Sequence, residues 1–228
     1  HSSDGGNTWV KQFDGILANK SIIQQAQDVV SELEAQLEAA SEDEIEEMEY
    51  VLEEAQFALE DAQLDAEVGA SKPFLDVFFQ DKLNGFAVGA DGVICKTEDG
   101  GETWVNYGDR RDNIVLFHLN AISAVSDALL VAGEAGVMFR SEDGGDTWET
   151  VESPYDGSFF GLIATGDKDV VLAFGLRGNL FRSEDAGQTW ERLDTGTEST
   201  LMGAATDGSG KITVVGNSGS VLLSRDGG

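Results

Sequence analysis

From Phe74 onward, short apolar runs alternate with turn residues. Phe74-Leu75-Asp76-Val77-Phe78-Phe79 leads to a polar turn at Lys82-Leu83-Asn84, then to Gly85-Phe86-Ala87-Val88-Gly89 and a turn at Ala90-Asp91-Gly92. A run over residues 93–96, a polar stretch and Trp104-Val105-Asn106-Tyr107 complete the unit. β-Branched and aromatic runs of this length, separated by Gly, Asn and Asp, predict a meander of four antiparallel strands. The plan recurs at residues 119–125, 129–133 and 137–140, again at 160–164, 170–174 and 179–182, and once more at 201–205, 212–216 and 220–223. A Gly-x-x-Gly pair separates the second and third runs each time: Gly89/Gly92, Gly133/Gly136, Gly175/Gly178 and Gly216/Gly219. Two intervening residues are the length of a tight hairpin, where glycine supplies positive φ. The helix that a phosphate-cradling glycine loop requires does not follow.

Between the third and fourth runs stands an eight-residue box. It occurs as Ser2-Ser3-Asp4-Gly5-Gly6-Asn7-Thr8-Trp9 and at residues 97–104, 141–148 and 183–190, and the four copies hold all 4 tryptophans. A fifth, Ser224-Arg225-Asp226-Gly227-Gly228, stops before its Thr-Trp. The intervals Asp99 to Asp143 to Asp185 to Asp226 are 44, 42 and 41 residues, the length of one four-stranded propeller blade. The predicted fold is therefore mainly β, a β-propeller of four-stranded blades. Within each box, Asp and Ser/Thr side chains suit local hydrogen bonds that lock the turn, and the Trp enters the fourth strand to fill an apolar gap. This structural role is expected for Asp4, Asp99, Asp143, Asp185 and Asp226, and for Trp9, Trp104, Trp148 and Trp190. Their even spacing places one aspartate on each blade, which argues against a shared catalytic or calcium site.

The first two boxes break the spacing, lying 95 residues apart. The surplus, residues 17–72, changes period from two to about three and a half. Ile45, Met48, Leu52, Ala55, Leu59 and Ala62 form a heptad seam, and Ile22/Ile23, Ala26, Val30, Leu33, Leu37 and Ala40 offer a second in similar phase. Ser41-Glu42-Asp43-Glu44 has the form of a capping box that starts the second helix. An antiparallel helical hairpin about 30 Å long is expected. It follows an outer strand at residues 9–13 and precedes an inner strand at Phe74, so it should emerge on the face opposite the boxes, where propellers commonly bind partners. The second helix carries an extra apolar stripe, Tyr50, Phe57 and Leu64, flanked by Val51 and Ala58. This stripe packs on the propeller, covers a partner protein, or simply widens the seam. The expected divisions are residues 1–16 (box and outer strand), 17–72 (hairpin), 73–115, 116–157 and 158–199 (blades), and 200–228 (incomplete blade). Both ends fall inside the box pattern, so the chain is expected to be a segment of a longer propeller. The alternative is a four-bladed ring in which residues 8–13 complete the last blade.

Charge narrows the candidate partners. Against 14 Lys and Arg stand 43 Asp and Glu, a formal net charge of −29. Such a field repels phosphate backbones and anionic lipid, so nucleic acid is excluded. It suits an acidic surface in a high-salt or extracytoplasmic setting, or one that recruits a basic partner. Between Ser41 and Val68 there are 12 acidic residues and no basic one. No run approaches the roughly 20 apolar residues that span a bilayer. The single Cys95, in an apolar run, forms no internal disulfide and suits a packing role. With only 2 histidines, no metal site or cofactor is expected. Aligning the repeats places Phe74, His118, Phe159 and Leu201 at the start of the innermost strands, near the channel mouth on the hairpin's side. That ring suits either a hydrophobic ligand or packing between blades.

The phrase Ser-x-Asp-x-Gly-x-Thr-Trp resembles the Asp-box, or bacterial neuraminidase repeat, of β-propellers. The longer phrase from Gly85 through Ala90-Asp91-Gly92 and Thr97-Glu98-Asp99-Gly100-Gly101 to Trp104 is similar to the photosystem II stability and assembly factor family and its non-photosynthetic bacterial relatives. The likeness covers residues 1–15 and 73–228. It implies an extracytoplasmic, non-enzymatic propeller of about seven blades, in a periplasm or equivalent lumen, that assists membrane-protein complexes. The arginine patch described for photosynthetic members has no counterpart, since Arg110 and Arg111 are the one adjacent pair among 7 arginines. Asp-box propellers also include sialidases, whose chemistry needs convergent arginines, a Tyr nucleophile with a Glu partner, and an acid/base Asp. Tyr107 and Tyr155 lie on outgoing strands, while Arg140, Arg182 and Lys96 share one repeat position just before the box. The expectation is a binding or assembly module that contacts a membrane-embedded complex through the hairpin and adjacent face. The alternative is a carbohydrate-active propeller whose catalytic residues lie elsewhere.

Overall fold

A computed structural model describes residues 2, 4–41, 44–107, 116–207 and 210–225. Helices α1 (Gly15–Ala39) and α2 (Ile45–Val68) precede fifteen strands arranged as four antiparallel sheets. The first sheet is β1 (Phe74–Phe79), β2 (Gly85–Gly89), β3 (Ile94–Thr97) and β4 (Val105–Asn106). The second is β5 (Leu119–Val125), β6 (Ala128–Gly133), β7 (Met138–Ser141) and β8 (Glu149–Thr150). The third is β9 (Phe159–Ala164), β10 (Val171–Gly175), β11 (Leu180–Ser183) and β12 (Glu191–Leu193). The fourth has three strands, β13 (Leu201–Thr206), β14 (Ile212–Gly216) and β15 (Val221–Ser224). Each sheet is a meander in chain order, as the period-two runs predict.

The sheets stack face to face in series, inner strand beside inner strand, from β1 to β5 to β9 to β13. Phe86, Val88 and Ile94 of the first sheet meet Leu119, Ile122, Leu129 and Trp148 of the second. Leu130 and Met138 of the second meet Val171, Ala173 and Phe181 of the third. Leu172, Phe174 and Leu180 of the third meet Ile212 and Val214 of the fourth. Central strands are therefore buried on both faces, and β2, β6 and β10 are almost wholly apolar. The two terminal sheets each keep one open apolar face: Leu75, Val77 and Phe79 on the first, Met202, Val215, Val221 and Leu223 on the fourth.

The first glycine of each Gly-x-x-Gly pair is there for a close approach rather than for its φ. Gly89, Gly133 and Gly216 have φ of −170°, −158° and −154°, ordinary extended backbone. A Cβ on Gly89, Gly133, Gly175 or Gly216 would come within 2.1–2.4 Å of the carbonyl oxygen of Pro73, His118, Ser158 or Thr200. That same carbonyl accepts a bond from the next turn residue, Ala90, Glu134, Leu176 or Asn217. The turn is thus tied to the residue preceding each inner strand. Positive φ belongs to the second glycine and to the residue before it, as at Ala135 (51°) and Gly136 (79°).

The heptad seams form the helical hairpin. Ile45, Met48, Leu52, Ala55, Leu59 and Ala62 face α1 and are half-buried, and Val30 of α1 is buried. Asp14 caps α1 by accepting from the Leu17 amide at 3.0 Å. At the turn, Glu44 accepts from both the amide and the hydroxyl of Ser41, at 3.1 and 2.6 Å, which holds its carboxyl below the usual range.

Residues 9–14 depart from the expected outer strand and run as irregular backbone. They lie over the open face of the first sheet, where Trp9 to Phe13 and Val77, Phe79 and Trp104 line one apolar cleft. They do not complete the fourth sheet, so the four-bladed closure is not formed. The physical reason is visible in Phe13, which stacks on Trp104 at 5.4 Å and meets the Phe74 ring at a tilt, also at 5.4 Å.

Candidate functional site: the hairpin and the sheet ends

The boxes form as turn locks. In residues 141–148, Asp143 Oδ1 accepts from the Ser141 hydroxyl (2.8 Å) and the Asp146 and Thr147 amides (3.0 and 2.9 Å), and Oδ2 accepts from the Thr147 hydroxyl (2.6 Å). Asp4, Asp99 and Asp185 accept equivalent bonds from Thr8, Thr103 and Thr189. Amide and hydroxyl donors from Thr8 hold Asp4 at about 2, and hydroxyl and amide donors from Thr103 do the same for Asp99. At Asp143 burial pushes the carboxyl up, but the bonds from Thr147 and Ser141 outweigh it and bring it to about 2. Asp226 lies outside the described residues. Every lone pair these carboxylates use is spent on their own loop.

The box of one sheet also grips its neighbour. Trp148 is 4% exposed and meets Phe86 edge-on at 6.2 Å. Lys96 Nζ reaches Asp146 of the next box at 2.7 Å and Glu98 at 3.2 Å, and lies 5.3 Å from the Tyr107 ring. Burial alone would lower the Lys96 pKa, but those two carboxylates raise it above its usual value. Arg140 Nε donates to the Ala186 carbonyl at 2.9 Å, while its guanidinium and that of Arg182 pair with Glu142 and Glu184. Lys96 and Arg140 are therefore ties between sheets, whereas Arg182 pairs within its own box. Tyr155 stacks on Phe181 at 6.0 Å and meets Phe159 edge-on, so its ring is engaged in packing. Arg110 and Arg111 lie outside the described residues. Cys95 is buried, which pushes its thiol up to about 12.

The channel-mouth ring is corrected by strand register. Phe74, Leu119, Phe159 and Leu201 pair with the equivalent glycines Gly89, Gly133, Gly175 and Gly216. His118 stands one residue earlier, at the position of Pro73, Ser158 and Thr200. A β-bulge follows each of the four pairs and inserts an unpaired residue, such as Asn120, that the sequence alignment does not reveal. Phe159 and Leu201 are fully buried between sheets and Phe74 is half-buried under Phe13. They are packing residues. His118 is exposed, and its Nδ1 accepts from the Asp91 amide at 3.1 Å.

The hairpin is anchored at one end. Ser21 Oγ donates to the Trp104 carbonyl at 3.1 Å, and α1 packs along β4 at the outer edge of the first sheet. Asn19 Nδ2 donates to Gly69 O at 2.8 Å, tying the start of α1 to the end of α2. A polar Asn at a buried position of an amphipathic helix is the sequence signal that marks this anchor. Beyond it, Tyr50, Phe57 and Leu64 remain 61%, 59% and 60% exposed. The stripe packs neither on the propeller sheets nor into the α1 seam.

No curated protein matches the chain at whole-sequence level. Among solved structures, YCF48 bound to D1 peptide is 23% identical with a TM-score of 0.55, covering 69% of this chain and 52% of that one. YCF48 from Cyanidioschyzon merolae is 24% identical with a TM-score of 0.56, covering 69% and 54%. The chain therefore spans about half the length of the YCF48 structures it matches. A GH74 enzyme from Niastella koreensis, 16% identical with a TM-score of 0.50 over 66% of this chain and 28% of that one, shares the fold alone. Residues 55–228, three quarters of the chain and all four sheets, match the family described as photosynthesis system II assembly factor YCF48, and the chain belongs to that family.

Proposed function

We propose that this protein is a non-enzymatic assembly module that works outside the cytoplasm and docks on a membrane-embedded protein complex through α2 and the propeller face beside it. The observation that carries this reading is the exposed stripe of Tyr50, Phe57 and Leu64, with none of the described residues covering it. Family membership supports a protein-binding role, and a YCF48 structure with a D1 peptide bound shows that a relative takes a peptide. The repeated carboxylates and cations are consumed in turns and ties between sheets, which supports a scaffold rather than a catalyst.

The geometry offers a clean test. A Cβ on Gly15 would lie 2.8 Å from that of Ala70, so joining Gly15 directly to Ala70 removes the hairpin and keeps Phe13 and all four sheets. Affinity capture from solubilised membranes is expected to recover a membrane-protein complex with the intact chain and to lose it with the excised one. Equal recovery by both would overturn the hairpin-centred reading.

A further inference from the structure

The exposed face of α2 has a pattern beyond its apolar stripe. Tyr50, Phe57 and Leu64 recur every seven residues, two turns of helix, so they stay on one face. Tyr50 and Phe57 are each bracketed by an acidic pair one turn away on either side, Glu46/Glu47, Glu53/Glu54 and Glu60/Asp61 in turn, and Leu64 has Glu60/Asp61 one turn before it and Glu67 one turn after. All of these residues are exposed. The Tyr50 hydroxyl donates to Glu54 at 2.7 Å, which fixes the ring along the stripe. The seam toward α1 uses a separate set of positions, so this second heptad face is surplus to building the hairpin.

Resting on the reading of α2 as a docking element, we propose that its occupant is a basic amphipathic helix of another protein. That helix would carry an apolar residue every seven positions and Lys or Arg one turn to either side of each. The period selects a helix, because heptad-spaced side chains interlock with a partner of the same period. The charge selects a basic one. Residues 44–68 contain no cation, and the nearest, Lys72, is engaged with Asp65 at 2.6 Å. A second copy of this chain would bring the same acid pairs against themselves, and nucleic acid or anionic lipid would be repelled.

The test uses the whole 228-residue chain and a fluorescently labelled synthetic peptide of about 20 residues, long enough to span three heptads. It has leucine at every seventh position, lysine at the third and fourth positions after each leucine, and alanine and glutamine elsewhere. A scrambled peptide of the same composition is the control. By fluorescence anisotropy the patterned peptide is expected to bind at least about 10-fold more tightly than the scrambled one. Raising salt from about 50 mM to about 500 mM should weaken it by a comparable factor. Phe57→Glu, with helix content unchanged by circular dichroism, should remove the preference. Equal binding of both peptides, or a preference that survives Phe57→Glu, overturns the proposal. The result also separates from the capture experiment above. If capture needs the hairpin but the patterned peptide is not preferred, the basic-helix inference falls and the assembly reading stands. If the peptide is preferred but capture is indifferent to the hairpin, the converse holds.

Discussion

Asp4 and Asp143 sit in boxes of the same design, and only one of those boxes is built into the fold. Asp143 accepts four bonds, and its box places Trp148 against Phe86. Asp4 accepts from Ser2 and Thr8 at 2.7–2.9 Å, but Trp9 is 75% exposed and turns back to donate to its own Gly6 carbonyl at 3.0 Å. Asp143→Ala removes four bonds from an exposed loop. At the low end of the usual net worth per bond, because water competes for these donors, the loss is about 2 kcal/mol, or about 4–8 °C in Tm for a chain of this size. Asp4→Ala should leave the global transition where it is.

The assay is thermal and urea unfolding followed by tryptophan fluorescence. It carries a pH signature, because Asp143 has a folded pKa of about 2 against an ordinary 3.8. A depressed carboxylate contributes stability that is present above its unfolded pKa and is lost as pH falls through the folded one. The gap between wild type and Asp143→Ala should therefore be full at neutral pH and shrink between about pH 4 and about pH 2. Equal losses from Asp4→Ala and Asp143→Ala, or a gap that does not close in acid, would refute the claim that the boxes act by locking turns into the stack.

Other outcomes follow from single positions. Gly136 has a φ of +79° and a Cβ there would stand 2.1 Å from the Tyr155 carbonyl oxygen, so Gly136→Ala should cost about 3 kcal/mol or more in urea unfolding. Gly144, at φ +72° with no atom in reach, should lose only about 1 kcal/mol on the same change, the strain of the left-handed conformation alone. Cys95, buried with its thiol at about 12, should react with a disulfide reagent only as fast as the protein opens; rapid labelling of the native chain would show the first sheet to be looser than described.

Much of this fold was legible because it is repetitive. Four in-phase copies of runs, Gly-x-x-Gly pairs and boxes specify strand order even where single strands are ambiguous, and the odd interval between Asp4 and Asp99 exposes the hairpin. What was missed is non-periodic or arises from contacts between repeats. Residues 9–13 have the composition of an outer strand, yet a strand needs an edge to pair with, and Phe13 finds Trp104 and Phe74 instead. His118 was misplaced by one residue because the repeats differ in the lengths of their first two strands and of the turn between them, two residues between β5 and β6 against five between β1 and β2. The pre-box cations looked merely repeated, and only the stacking of sheets shows that Lys96 and Arg140 tie the first and second sheets to the next box.

The same distinction bears on where function lies. A residue that recurs in every blade answers a need that every blade has, so its chemistry is consumed locally: the Asp143 carboxylate by its own loop, Arg140 by the neighbouring turn, Trp148 by Phe86. Chemistry available to another molecule must come from what does not recur. Among the described residues the element that does not recur is the hairpin, anchored by Asn19 and Ser21 at its base and exposed along the outer face of α2, which is why recognition is proposed there. An insertion held at one end is expected to leave the sheet stack folded when it is excised. Loss of partner capture without loss of folding is therefore the result that would assign recognition to the hairpin and architecture to the repeats.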